Sequence, residues 1–334
     1  MTTTDEANGA PALGVRPAWH WRAVGTVARV PWTTILLIGL LLFACAAATV
    51  FDWQDSLQTF VTDLNESLEF QILAGVIIVG LVLEKLIPGR RQGFGSTRLN
   101  ILYSILIVLF IVVIGPFQIF LAEVIADTFG LRNVFDLTFD PRSTVFLSIA
   151  AVLIASLIKD FFFYWFHRLQ HTNTFLWQVH LLHHSDRTLN VTTNNRAHVF
   201  EHLFVPFFMS LPMIALFNLP TPALYLLSIV PTIWSNVVHM NIRIGFGPVW
   251  WLLTSPQWHR IHHSIRPEHR DKNFAVWFPV WDVLFGTAYV PNKDEYPETG
   301  VEDVEVSNLA QAFLLPFVGW YRMAALAFGR KTAA

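Results

Sequence analysis

The sequence has almost no cysteine. Its one thiol, Cys45, lies inside an apolar run, which excludes a disulfide framework and a thiolate metal site. Charge is also scarce: only 14% of the 334 residues are charged, against about 25% in soluble domains. The net charge of −2 gives no reason to expect nucleic acid as a partner. No HExxH is present for zinc peptidase chemistry, no CxxCH for attached haem, and no ExxH for a carboxylate-bridged bundle. What the chain does have is apolar surface, 54% hydrophobic residues with a mean hydropathy of +0.47, and thirteen histidines. The first places it in the membrane class. The second means that any bound metal is held by nitrogen, with oxygen as the only other donor.

A spanning helix needs roughly 20 mostly apolar residues. Thr33–Phe51, Phe70–Ile87, Asn100–Ile125 and Ser143–Phe166 each read as one span, with Gly115-Pro116 as a kink in the third. Leu203–Val238 is apolar but broken at Asn218–Pro222, which reads as a hairpin of two short spans. Residues 1–32 read as a flexible lead. Residues 291–334 read as a tail, in which Ser307–Leu326 is an interfacial helix rather than a span because Gln311, Trp320, Tyr321 and Arg322 interrupt it. The expected fold is therefore all-α: a membrane bundle of four long spans and a helical hairpin, under a helical cap.

Lys and Arg in short loops set the orientation. The loop after the first span has five acids and no base, whereas Lys85, Arg90, Arg91 and Arg98 follow the second. Against this stand Arg132 and Arg142 in the third loop, on the expected outer side. Counting spans from there returns the chain to the cytoplasmic face at His167; the hairpin leaves from and comes back to that face, so residues 243–334 are cytoplasmic. The expected membrane is a bacterial inner membrane rather than the endoplasmic reticulum.

That face receives three histidine clusters. His167 and His171 stand at i and i+4 in "HRLQH"; His180, His183 and His184 form "HLLHH"; His259, His262 and His263 form "HRIHH". On a helix such residues project from one side. Ser255-Pro256 supplies an N-cap and a first-turn proline for the third cluster, and His239 ends the hairpin at the same level. A lone histidine near a span end, such as His20 or His269, is ordinarily a packing residue. Eight unpartnered imidazoles beside a membrane are costly unless something pairs them. Nine exceed the capacity of one ion and suit two with four or five ligands each. Imidazole accepts iron, zinc or copper alike. His198 is a candidate tenth ligand and His202 a weaker one; Glu201 and Asp160 are candidates to orient a ligand ring. Haem bound between His167 and His180 or His171 and His184 would need those pairs on two spans within the bilayer, whereas here they share one stretch past the span. A metal transporter would line its spans with polar groups, and these carry almost none beyond Lys159 and Asp160.

Residues 157–290 resemble the fatty acid hydroxylase / sterol desaturase superfamily of membrane histidine-box proteins. "HRLQH", "HLLHH" and "HRIHH" stand for its three boxes, and "LNVTTNNRAH" and "DKNFAVWFPVWDVLFGTAY" for its connecting elements. Val199 replaces a usual proline, and Phe274-Ala275 stand where Tyr-Gly is common. The alkylglycerol monooxygenase-like and bacterial ornithine-lipid hydroxylase-like branches look most similar. The resemblance implies a domain over residues 33–290 with a non-haem centre of two iron ions, for which zinc can substitute in purified protein. It implies O2 as co-substrate, a membrane lipid as substrate, and electrons from a separate protein (a ferredoxin, cytochrome or reductase). It further implies His167, His171, His180, His183, His184, His198, His239, His259, His262 and His263 as ligands, and Asp160, Glu201, Asn273 and Asp282 as supporting residues. Lipid hydroxylation is the expected reaction, desaturation the alternative within the same chemistry, and metal binding without catalysis the alternative outside it.

Overall fold

The computed structural model describes residues 68–131, 134–136, 145–218 and 221–328. The expected first span, the N-terminal lead, His20, Arg132 and Arg142 lie outside them. The described chain is mostly helical: α1 (Leu68–Leu86), α2 (Thr97–Thr128), α3 (Val145–Thr172), α4 (Thr174–His184), α5 (Glu201–Val205), α6 (Leu211–Leu216), α7 (Thr221–Val238), α8 (Pro256–His262), α9 (Val280–Leu284) and α10 (Leu309–Ala327). A π-helical turn, Pro206–Ser210, joins α5 to α6. Two-residue strands, Phe135–Asp136 and Phe217–Asn218, pair in parallel.

Two helices among the described residues are long and apolar enough to cross a membrane, Ile149–Thr172 and Leu309–Ala327. This departs from the expected layout in two ways. Helix α1 covers the second expected span, but Glu69, Glu84 and Lys85 fall within its 19 residues. Helix α10, expected at the interface, has the length and apolarity of a span. Thr97–Ile111, Glu201–Leu216 and Ile229–Val238 are shorter apolar stretches. The outer surface is itself apolar: Ile78, Val79 and Val82 on α1, Ile105 and Leu109 on α2, and Ile149, Leu153 and Ile154 on α3 are all exposed. Contiguous apolar surface of this kind is costly in water and suits hydrocarbon.

Local chemistry explains where the boxes begin and end. Helix α3 does not stop where its apolar run stops; nothing in "HRLQHT" breaks it before Asn173, so its last two turns carry His167 and His171. Asn173 adopts an extended conformation and its side chain accepts from Phe175 N (3.0 Å) and Leu176 N (3.1 Å), starting α4 at once in a new direction. Ser255 accepts from Trp258 N at 3.1 Å and Pro256 fills the first turn of α8, as expected. Helix α4 packs between α3 and α10. Its buried residues Trp177, Leu181 and Leu182 join Leu99 and Tyr103 of α2 and Leu315 of α10 in one core cluster. A buried polar network pins its far end. The Arg196 guanidinium donates to Leu182 O (3.1 Å), Ser185 Oγ (3.0 Å), Asn100 Oδ1 (3.1 Å) and Val306 O (3.2 Å). Burial alone would raise the Asp186 carboxyl, but Arg196, Thr193 and Asn100 hold it below its usual range.

Candidate metal centre

The nine box histidines fall into two groups. His167 and His171 of α3, His180 and His184 of α4 and His262 of α8 form one; His183 of α4, His239 just past α7, and His259 and His263 of α8 and its C-cap form the other. Within each group the potential ligand atoms lie within 4.8 Å of one another. In both HxxHH boxes the rings at i and i+4 enter one group and the ring at i+3 enters the other. Helix geometry explains the division: i+4 lies about 40° from i, whereas i+3 lies about 60° away on the opposite side. The groups share a wall, where His184 stacks on His263 with ring centres 4.4 Å apart.

The Nε2 atoms converge. His167 and His180 approach to 3.1 Å, His171 and His184 to 3.1 Å, His180 and His184 to 3.2 Å. In the second group, His239 lies 3.2 Å from His183 and 3.0 Å from His259, and His259 lies 3.2 Å from His263. These contacts are not ordinary hydrogen bonds. His167 Nδ1 sits 2.7 Å from Phe274 O, His262 Nδ1 2.8 Å from Lys272 O and His239 Nδ1 2.5 Å from Ser235 O. A carbonyl only accepts, so in each ring Nδ1 carries the proton and Nε2 is left with a bare lone pair. His180 Nδ1 faces Glu201 Oε2 at 3.3 Å and is fixed the same way. The His167–His180 contact therefore sets two lone pairs against each other in a buried site, an arrangement that a cation between them relieves. Two nitrogens about 2.0–2.1 Å from one ion stand about 2.9 Å apart at a right angle and about 3.4 Å apart at the tetrahedral angle. The spacings found lie between these limits, so the donor set fits two ions.

Burial keeps the donors ready. All nine rings are at most 8% exposed. Desolvation first, and then their mutual repulsion, hold His183, His184, His259 and His263 well below the usual imidazole value; burial lowers His239 to about 4. Neutral imidazole is the ligating form.

One loop, residues 271–274, orients three rings of the first group. Phe274 O and Lys272 O hold His167 and His262, and Asp271 Oδ1 lies 3.5 Å from His171 Nδ1. Its backbone turns through the left-handed region at Asp271 (φ 56°) and Asn273 (φ 58°), which Asp and Asn tolerate better than most residues. Asn273 is fully buried. It donates to Trp258 O (3.1 Å) and Tyr289 O (2.9 Å) and accepts from Tyr289 N (2.7 Å), tying the loop to α8. Asp282 accepts from Phe274 N (2.8 Å), Ala275 N (3.0 Å) and Thr287 Oγ1 (2.8 Å), and burial pushes its carboxyl up to about 6. In the second group His239 alone has such an anchor; Nδ1 of His183, His259 and His263 finds no acceptor among the described residues.

The remaining expected site residues divide. Glu201 reaches a box ring, His180. Asp160 does not: it accepts from Phe278 N at 2.9 Å and fastens α3 to the segment before α9. His198 is not brought to either group, because both its nitrogens serve the backbone, Nε2 with Phe313 O (3.0 Å) and Nδ1 with Phe200 N (3.2 Å). His202 is also outside both groups. His269 packs between Ser264 Oγ (2.8 Å) and Glu295 Oε1 (3.0 Å), a structural role. The carbonyls of Lys272, Phe274 and Ser235 have no signature in a sequence. Asp271 and Asn273 do leave one, as residues suited to left-handed turns.

Residues 152–287 match the fatty acid hydroxylase family model. The chain is similar to the alkylglycerol monooxygenase of Xenopus tropicalis (34% identity, over 41% of this chain and 30% of that protein). It is also similar to the ornithine lipid hydroxylase of Rhizobium tropici (29% identity, over 49% and 48%) and to the human alkylglycerol monooxygenase (32% identity, over 40% and 29%). It thus spans about a third to a half of the length of these relatives. No solved structure matches.

Proposed function

We propose, from a chain whose residues 152–287 belong to the fatty acid hydroxylase family, that this protein hydroxylates a membrane lipid with O2 at a centre of two iron ions. One observation carries the reading: nine buried imidazoles form two adjoining cages on helices whose outer faces are apolar. His167, His171, His180, His184 and His262 would hold one ion; His183, His239, His259 and His263 would hold the other. The bound iron pair supplies the redox chemistry with O2 that attack on an unactivated C–H bond requires and that no side chain can provide. The chain's own residues do the rest. Lys272 O, Phe274 O, Ser235 O and Glu201 fix ring orientation and keep the protons on Nδ1. Phe274 and Trp177 pack against the rings of the first cage and exclude water; the Phe274 ring centre lies 5.0 Å from that of His171.

The net reaction joins the C–H bond, O2, two electrons and two protons to give an alcohol and water. The electrons come from a separate donor protein, a ferredoxin, cytochrome or reductase. The names of the relatives favour lipids with glycerol or amino-acid headgroups. We place the centre at the cytoplasmic face of a helical membrane bundle, in a bacterial inner membrane. Lipid mass spectra of cells with and without the gene test the proposal. A gain of about 16 daltons in one lipid class marks hydroxylation and a loss of about 2 marks desaturation. An unchanged lipid profile overturns both, as does a product unaffected by His263→Ala.

A further inference from the structure

A second feature lies on the flank of α8, away from the cages. A cavity of about 450 Å³ opens between the segment 243–258 and the loop 290–294. Its walls include Trp250 and Trp258, whose rings stack 5.4 Å apart at 13°. Arg243 and Lys293 contribute two cations to its lining and Asp294 one anion. Trp258 is 1% exposed and its ring backs that of Trp250.

The cavity is held open by specific contacts. Gln257 Nε2 reaches Asn292 O (2.8 Å), Lys293 O (3.3 Å) and Glu295 O (2.8 Å), fixing the loop that carries Lys293. The Arg243 guanidinium lies 5.3 Å from the centre of the Tyr296 ring and 4.0 Å from the exposed Asp294 carboxylate. A side chain at Gly245 would place its Cβ 2.6 Å from Gln257 Oε1, so the opposite wall approaches as closely as backbone can. Beside the cavity, Ile244, Val249, Trp251 and Leu252 are all exposed. Exposed tryptophan and aliphatic side chains next to cations describe the level where headgroups meet acyl chains.

We propose that this cavity seats the phosphate headgroup of an anionic membrane phospholipid. Arg243 and Lys293 take the phosphate, and the acyl chains lie along Ile244, Val249, Trp251 and Leu252. The proposal rests on the membrane placement given above but not on the oxidation chemistry.

Native mass spectrometry of the full chain in detergent, stripped of lipid and titrated with phosphatidylglycerol or phosphatidylcholine, tests it without turnover. Phosphatidylglycerol should bind at lower concentration than phosphatidylcholine. Arg243→Ala and Lys293→Ala should each weaken it roughly fivefold, the effect of one basic residue near an anionic headgroup. Asp294→Asn, which removes the competing anion, should tighten it. Both alanine substitutions are at exposed positions and leave the fold intact. Equal binding of the two lipids, or wild-type phosphatidylglycerol binding by the Arg243→Ala/Lys293→Ala variant, overturns the proposal. Displacement of the lipid by millimolar inorganic phosphate overturns the lipid assignment in favour of a free anion. Any of these failures leaves the oxygenase reading standing, and an inactive oxygenase that still selects phosphatidylglycerol leaves this one.

Discussion

Asn273→Asp changes one NH2 group for an oxygen and should dismantle the first cage. The shape is retained, and Asp tolerates the left-handed backbone at φ 58° nearly as well as Asn. What changes is the sign of two contacts. The amide donates to Trp258 O at 3.1 Å and to Tyr289 O at 2.9 Å; a carboxylate oxygen there meets two carbonyls as an acceptor facing acceptors. Each lost hydrogen bond costs about 1 kcal/mol, and the buried Tyr289 carbonyl, left without this donor, adds about 1–3 kcal/mol, whereas Trp258 O keeps its partner within α8. The total is roughly 3–5 kcal/mol before any repulsion is counted, a substantial part of a domain's typical stability of about 5–15 kcal/mol. The loop responds by moving, and with it go Lys272 O and Phe274 O, which hold His262 and His167. The assay is iron or zinc per chain after dialysis against a chelator, alongside thermal unfolding. We expect two ions per chain in the wild type and one or none in Asn273→Asp, with a lowered Tm. A variant with two chelator-resistant ions and an unchanged Tm would refute the claim that this loop orients the cage.

Four further outcomes are expected. Glu201→Gln keeps an acceptor for His180 Nδ1 but removes its charge, and should weaken metal retention in the first cage by about 10–100-fold; chelator titration of the purified protein measures it. Under chelator the second cage should release its ion before the first, because only His239 among its rings is anchored through Nδ1; two equal release phases, or the reverse order in His262→Ala against His263→Ala, would contradict this. Gly319→Ala should destabilise the protein by about 1–2 kcal/mol net, since the new Cβ would clash with the Gln178 side chain on α4 and force it to turn away, while alanine recovers about 1 kcal/mol of helix propensity; Gly319→Ala/Gln178→Ala should recover most of the lost Tm. Ion-free protein should lose stability as pH falls. His183, His184, His259 and His263 have folded values below the unfolded value of 6.5, so their contribution is complete above pH 6.5 and is lost below it. Asp282, raised to about 6, acts in the opposite sense, its charged form costing stability as pH rises from about 4 to 6. With His239, lowered to about 4, and His198, also lowered to about 4, the depressed imidazoles outnumber the raised carboxyls, so Tm should climb with pH to a plateau near neutrality, and a flat profile from pH 5 to 7 would count against the buried imidazole cages.

The boxes were legible because their signal is periodic. Spacings of three and four place rings on one helical face whatever the rest of the chain does, and Ser255-Pro256 marks a helix start by local chemistry alone. Long-range partners carry no such mark. His198 looks like a ligand in "NNRAHVFEH", yet its Nε2 is taken by Phe313 O, a backbone group 115 residues away. Asp160 shares a helical face with His167, but reaches Phe278 N rather than a ring. The fourth expected span ends at Phe166, where the apolar run stops, while the helix that carries it continues to Thr172 without a breaker. The polar and aromatic residues that made α10 look interfacial are partly spoken for: Trp320 Nε1 donates to Phe175 O at 2.9 Å, and its ring stacks on Phe175 at 4.5 Å.

Helices α4 and α8 each contribute rings to both cages, which would couple two bound metal ions. Side-chain torsions let a single ligand adjust, but the offset between an i+4 ring and an i+3 ring is a property of backbone pitch. The spacing between the cages is thus gauged by two short helices. A tilt of either would displace donors in both cages at once, while α3 serves only the first, so a molecule bridging two bound ions would have to match a gap set largely by the backbone.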